Sequence, residues 1–101
     1  MRRVRWSDEA SERLEAFLDW VAAADPAAAV RARKALQSRA SSLRRAPHQG
    51  RPSRWHGWRE LSVSDWKKII VYDVRDQEIY VVTLLDPRQD LSAYIPKSEN
   101  T

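Results

Sequence analysis

Between Trp58 and Leu85 the chain carries three apolar runs, Trp58-Arg59-Glu60-Leu61-Ser62-Val63, Ile69-Ile70-Val71-Tyr72-Asp73-Val74 and Ile79-Tyr80-Val81-Val82-Thr83-Leu84-Leu85, parted by short polar stretches. Runs of this length, rich in β-branched and aromatic residues and bounded by turn chemistry, read as strands, and links this short join antiparallel neighbours. Alternation puts Arg59, Leu61 and Val63 on one face of the first run and Trp58, Glu60 and Ser62 on the other. Ser64 to Lys67 forms one turn and Arg75-Asp76-Gln77 a second. The third run is the most apolar, which places it centrally in the sheet, and Asp86-Pro87 terminates it.

The chain before this block has a different period. Arg3-Val4-Arg5-Trp6 alternates as a short strand with Val4 and Trp6 facing inward. Ser7 is a helix N-cap with Asp8 and Glu9 in the first turn, where the helix dipole favours negative charge. Ala10, Leu14, Phe17, Leu18 and Val21 then recur on one helical stripe. Asp25-Pro26 ends this helix and caps the next, because proline disfavours helix before itself yet fits the first helical position. The second helix is expected to run to about Arg45 through Ala29, Val30, Ala32, Leu36, Ala40 and Leu43, a narrow alanine-rich stripe that allows close antiparallel packing. Ala46 to Gly57 holds both glycines and two of the five prolines and reads as a loop. Leu91 to Thr101 is expected to form a short extra element through Tyr94 and Ile95, or to fray over 92–101. The expected architecture is one α+β domain over residues 1–101, β-α-α-β-β-β. A two-helix hairpin packs on one face of a small, largely antiparallel sheet. The other sheet face is left to the basic loop and to whatever binds.

Charge is informative by position. Residues 1–30 carry four Lys or Arg and six Asp or Glu, net −2; residues 31–68 carry eleven and two, net +9; residues 69–101 carry three and six, net −3. A basic block between acidic flanks is the footprint of a phosphate-bearing or acidic partner. With no cysteine, disulfides, thiol catalysis and cysteine-bound zinc are excluded. Two histidines make a metal site unexpected, and no cofactor is expected. No apolar stretch approaches the ~20 residues of a membrane span, and Met1-Arg2-Arg3 leads into polar sequence, so no membrane association and a cytoplasmic location are expected.

The order of these motifs, Gly50-Arg51-Pro52, then Arg59-Glu60-Leu61-Ser62-Val63, then Ile69-Ile70-Val71-Tyr72-Asp73-Val74, closed by Arg88-Gln89-Asp90, resembles the RelE/ParE superfamily of bacterial type II toxin–antitoxin systems. The resemblance runs from Val4 to about Asp90 and implies a growth-arresting toxin neutralised by a cognate antitoxin, with operator DNA bound only through that antitoxin. The ParE-like branch inhibits DNA gyrase. The RelE-like branch cleaves ribosome-bound messenger RNA without a metal, which would give Arg59, Lys67 and Lys68 catalytic roles; Lys67 or Lys68 serves as a base only with a lowered pKa, whereas His48 and His56 need none. Many relatives end the last long strand with Arg-Val-Leu-His before a Gln, where this chain has Thr83-Leu84-Leu85-Asp86 before Pro87-Arg88-Gln89. The missing cations favour the gyrase-directed branch over the endonuclease, with a degenerate, antitoxin-binding chain as a further alternative. The expected target- and antitoxin-binding surface is Arg51, Arg54, Trp55, Trp58, Arg59, Lys67, Lys68 and Arg88, with Trp66 beside it, since tryptophan and arginine anchor interfaces.

Overall fold

The computed structural model describes residues 2–97. In chain order the elements are β1 (Arg3–Trp6), α1 (Asp8–Ala24), α2 (Pro26–Ser42), β2 (Arg51–Pro52), β3 (Arg59–Val63), a 3-10 turn (Ser64–Trp66), β4 (Lys68–Val74) and β5 (Glu78–Leu85). The sheet runs β1-β5-β4-β3-β2, with β1 parallel to β5 and the remaining neighbours antiparallel.

Both helix starts follow from their caps. Ser7 Oγ accepts from the Ala10 amide at 2.9 Å and donates to the Val82 carbonyl at 2.7 Å, so the cap also fastens α1 to β5. Asp25 Oδ1 accepts from the Ala27 and Ala28 amides at 3.1 and 3.2 Å, with Pro26 opening α2. α2 stops at Ser42, short of the expected Arg45. There the Ser42 hydroxyl donates back to the Arg39 carbonyl at 2.6 Å, and Arg44 and Arg45 fall in turns. Val30 does not join the α2 stripe: it is 67% exposed, while Ala32, Leu36, Ala40 and Leu43 are buried. One residue past Ala29, it is rotated ~100° around the helix from that residue.

The sheet has a fifth strand that the loop chemistry concealed. Arg51 and Pro52 pair with Glu60 and Arg59 at the sheet edge, where a proline lacking its amide is tolerated. A second departure lies inside β5, an interior strand beside the middle strand β4. Val71 faces Thr83 but Tyr72 faces Val81, so Val82 is an extra residue, a β-bulge. Side-chain alternation therefore flips along β5: Ile79, Val81 and Leu84 join the helix-side core, while Tyr80, Val82 and Leu85 join the other.

That other face is taken by the basic loop, as expected, and by the tail, which the sequence did not place there. Ile69, Val71, Tyr80, Val82 and Leu85 are buried there beneath Trp55 and Trp58 of the basic loop and Leu91 and Tyr94 of the tail. The tail forms no regular element over Leu91–Lys97; Tyr94 packs edge-on against Trp55 at 5.8 Å while Ile95 is 78% exposed. Residues 98–101 of the expected fraying tail lie outside the described residues.

Candidate functional site

The basic and aromatic residues singled out by sequence divide into two groups at opposite ends of β3 and β4. Arg59 pairs with Tyr72, and Val63 pairs with Lys68. Four residue steps along the strand separate these pairs, about 13 Å at the usual rise.

The first group gathers on Glu60, a carboxylate only 3% exposed. Glu60 Oε2 accepts from Ser53 Oγ at 2.9 Å, from Arg54 Nε at 2.9 Å and from the Arg54 amide at 3.1 Å. Its Oε1 accepts from Arg54 Nη2 at 3.1 Å and, more loosely, from Arg51 at 3.4 Å. Burial pushes this carboxyl up, but the hydrogen bonds from Arg54 and Ser53 outweigh it and hold the pKa at about 2. Arg54 also lies 5.3 Å from the Trp55 ring centroid, and Trp55 and Trp58 are half-buried on the second core. Arg59 faces the helix side and holds the α2–β2 loop. Its guanidinium donates to the Gly50 carbonyl at 3.1 and 2.6 Å and to the His48 carbonyl at 3.2 Å. His48 and His56 are exposed loop residues.

The second group surrounds Asp86. Arg88 donates to both carboxylate oxygens, at 2.9 and 2.8 Å, and its amide donates to Oδ1 at 2.9 Å. These bonds, with the Lys68 charge, hold the Asp86 carboxyl well below the usual range. Lys68 reaches the same carboxylate at 3.9 Å and stands 4.3 Å from the Phe17 ring centroid, its side chain 13% exposed. Burial lowers the Lys68 pKa; Asp86 opposes the shift, and Arg88 and Arg13 add to it. Lys67 is exposed at φ 51°, left-handed backbone that few non-glycine residues adopt.

Three residues in or beside these clusters were not singled out as functional in the sequence. Glu60 reads as an ordinary outward position of a strand, and only the loop folding back gives it two arginines. Phe17 reads as part of the α1 stripe, yet it is half-buried and carries Lys68. Trp20 could have been found: it is a tryptophan off the apolar stripe of an amphipathic helix, and it is 72% exposed.

The molecule is a helix hairpin on a five-stranded mixed sheet with a basic rim, and no group of three or more His, Cys, Asp or Glu among the described residues is placed to hold a metal. Residues 4–91 match the family described as the ParE toxin of the type II toxin-antitoxin system, parDE, and the chain belongs to that family. Y4kP of Sinorhizobium fredii, a protein that bears a toxin name, is 35% identical over 82 residues, spanning 80% of this chain and 85% of its own. A solved chain of the chromosomal ParDE TA system from P. aeruginosa superposes with a TM-score of 0.74 at 26% identity, over 83% of this chain and 94% of that one. This chain is accordingly the toxin half of a type II pair, with a cognate antitoxin as partner. No helix among the described residues is long and apolar enough to cross a membrane.

Proposed function

We propose that this toxin arrests growth by binding DNA gyrase, as a ParE-like inhibitor, without cutting RNA. The observation that carries the reading is the separation of the candidate catalytic side chains. General acid and base must both come within about 3 Å of the reacting atoms, yet Arg59 sits about 13 Å of strand away from Lys68, with its guanidinium spent on the loop carbonyls. A binding toxin needs no such convergence. It needs exposed cations and anchors, and Arg51, Arg54, Lys67 and Arg88 keep exposed surface at the rim. Trp55 and Trp58 are half-buried on the second core, with Trp55 beside Arg54.

The messenger RNA endonuclease is kept as a second reading by one observation, the burial that lowers the Lys68 pKa and moves it toward a general base. Inducing the toxin without its antitoxin separates the two: double-strand DNA breaks with intact messages support gyrase, and codon-positioned message cuts preceding any break support the endonuclease. Absence of arrest would mark the chain as a degenerate toxin.

A further inference from the structure

The two helices of the hairpin carry opposite charge. α1 holds five carboxylates and one arginine, whereas α2 holds four cations and no carboxylate. Two of the α2 cations are occupied: Arg33 donates to both oxygens of Glu15 at 2.7 Å, and Arg39 donates to the Ser62 carbonyl at 3.2 Å and to Gln49 Oε1 at 3.3 Å. Arg31 and Lys34 are exposed and make no ion pair or hydrogen bond among the described residues.

Their placement is set by the buried stripe. Ala32, Leu36 and Ala40 face the core, and at ~100° per residue Arg31, Lys34, Ser38 and Ser41 fall within about 80° of one another on the opposite side, all four exposed. Arg44 and Arg45 continue the basic run past the helix end, and Arg44 Nε donates to the Arg2 carbonyl at 3.2 Å, which sets the start of β1 beside them. The helix dipole favours cations in the last turn and so accounts for Arg39; it gives nothing to Arg31 and Lys34, which also repel each other at i,i+3.

What this face lacks narrows what it fits. α2 has no aromatic residue, so single-stranded nucleic acid finds no ring on which to stack its bases. Val30 is its one large exposed apolar side chain among the described residues, which leaves a protein partner without an aromatic anchor. The face offers guanidinium, ammonium and hydroxyl donors along a rod of 17 residues, about 25 Å long. Such donors hold phosphate oxygens, and duplex DNA presents them at regular intervals of about 3.4 Å of its axis on each strand.

We propose that the outer face of α2 lies along the phosphate backbone of duplex DNA, with Arg31 and Lys34 on neighbouring phosphates and Ser38 and Ser41 as neutral donors beside them, so that the toxin touches DNA directly. The exposed Glu12, Glu15 and Asp19 of α1 repel the same backbone, which fixes the side of the hairpin that meets it. Contacts of this kind position a protein on DNA and read no sequence.

The test is fluorescence anisotropy of a labelled mixed-sequence duplex of about 20 base pairs, titrated with the purified toxin over about 50 to 200 mM salt. Wild type is compared with Arg31→Gln/Lys34→Gln and, as a control of equal charge, with Arg51→Gln/Lys97→Gln, which removes two exposed cations from the sheet edge and the tail. Glutamine is a good helix former and both α2 sites are exposed, so Arg31→Gln/Lys34→Gln is expected to keep the wild-type circular dichroism spectrum. Its duplex affinity is expected to fall at least about ten-fold, with the slope of log affinity against log salt shallower by about two, while the control shifts affinity by less than about three-fold. Equal losses in the two double variants would reduce the effect to net charge and overturn the proposal. Unchanged duplex affinity overturns it as well, and a salt-sensitive self-association that vanishes in the same variant by sedimentation would then assign the face to the acidic α1 of a second copy. Single-stranded RNA of the same length bound as tightly as the duplex also overturns it and gives the face to RNA. The toxin alone is titrated, so failure of the gyrase reading leaves every readout intact.

Discussion

Glu60 and Arg54 lock each other in place: the guanidinium spans both carboxylate oxygens, at 2.9 and 3.1 Å, from a loop residue to a buried strand position. The pair turns a glycine- and proline-bearing loop into a fixed lid over the second core, and it carries Trp55 with it.

Glu60→Gln leaves Arg54 without its counter-charge and is expected to cost about 2–3 kcal/mol at neutral pH. The carboxyl pKa is depressed from 4.5 to about 2 in the folded protein, so its stabilisation is complete above the unfolded value and fades as pH falls toward the folded one. Thermal unfolding of both proteins across pH 2–7 should show a wide gap in Tm at neutral pH that closes in acid. A gap independent of pH would contradict the pairing.

Gly50 allows the loop to pass close over the sheet. A methyl group there would meet the Glu60 carbonyl at 2.6 Å and the Tyr72 hydroxyl at 2.8 Å, both within hard contact. Tyr72 is fully buried, and its hydroxyl donates to Pro47 O at 2.7 Å and accepts from the Gly50 amide at 3.1 Å. Gly50→Ala and Tyr72→Phe are each expected to destabilise by about 1–3 kcal/mol. Denaturant unfolding measures both, and unchanged midpoints would refute the close approach.

Arg59 donates to two loop carbonyls. Arg59→Ala should therefore lower stability by about 1–2 kcal/mol, and Arg59→Lys should restore little, since an ammonium cannot reproduce the guanidinium fork. A Tm unaffected by Arg59→Ala would leave the loop held by Tyr72 and Glu60 alone.

The caps, the helix stripes and the three long strands were legible because each is written in local chemistry: Ser7 and Asp25 before their helices, alternation in Arg59–Val63, polar turns between runs. β2 was not, because two residues pair only once β3 is there to pair with. The bulge at Val82 was not, because Ile79 to Leu85 is apolar throughout but for Thr83 and offers no alternation to break. The same limit applies at the candidate site. Sequence supplies the arginines and lysines, but which carboxylate each one meets is decided by tertiary packing, as Glu60 and Asp86 illustrate.

Lys68 should cost stability at neutral pH. Its folded pKa lies below the unfolded value of 10.5, so the folded state disfavours the charged form, and the penalty is present below the folded pKa and relieved as pH rises through the unfolded one. Lys68→Met, which keeps an unbranched side chain against Phe17 but gives up the cation–π contact, is expected to raise Tm at pH 7 and to lose that advantage near pH 10.5. A lower Tm for Lys68→Met at pH 7 would mean that the contact with Asp86 outweighs burial.

The central claim is that this toxin acts by binding gyrase. Purified toxin added to DNA gyrase, ATP and relaxed plasmid tests it most directly. Supercoiling is expected to be inhibited, and activity to return when the antitoxin is added. Undiminished supercoiling at saturating toxin, with ribosome-bound message cut by the same preparation, would contradict it.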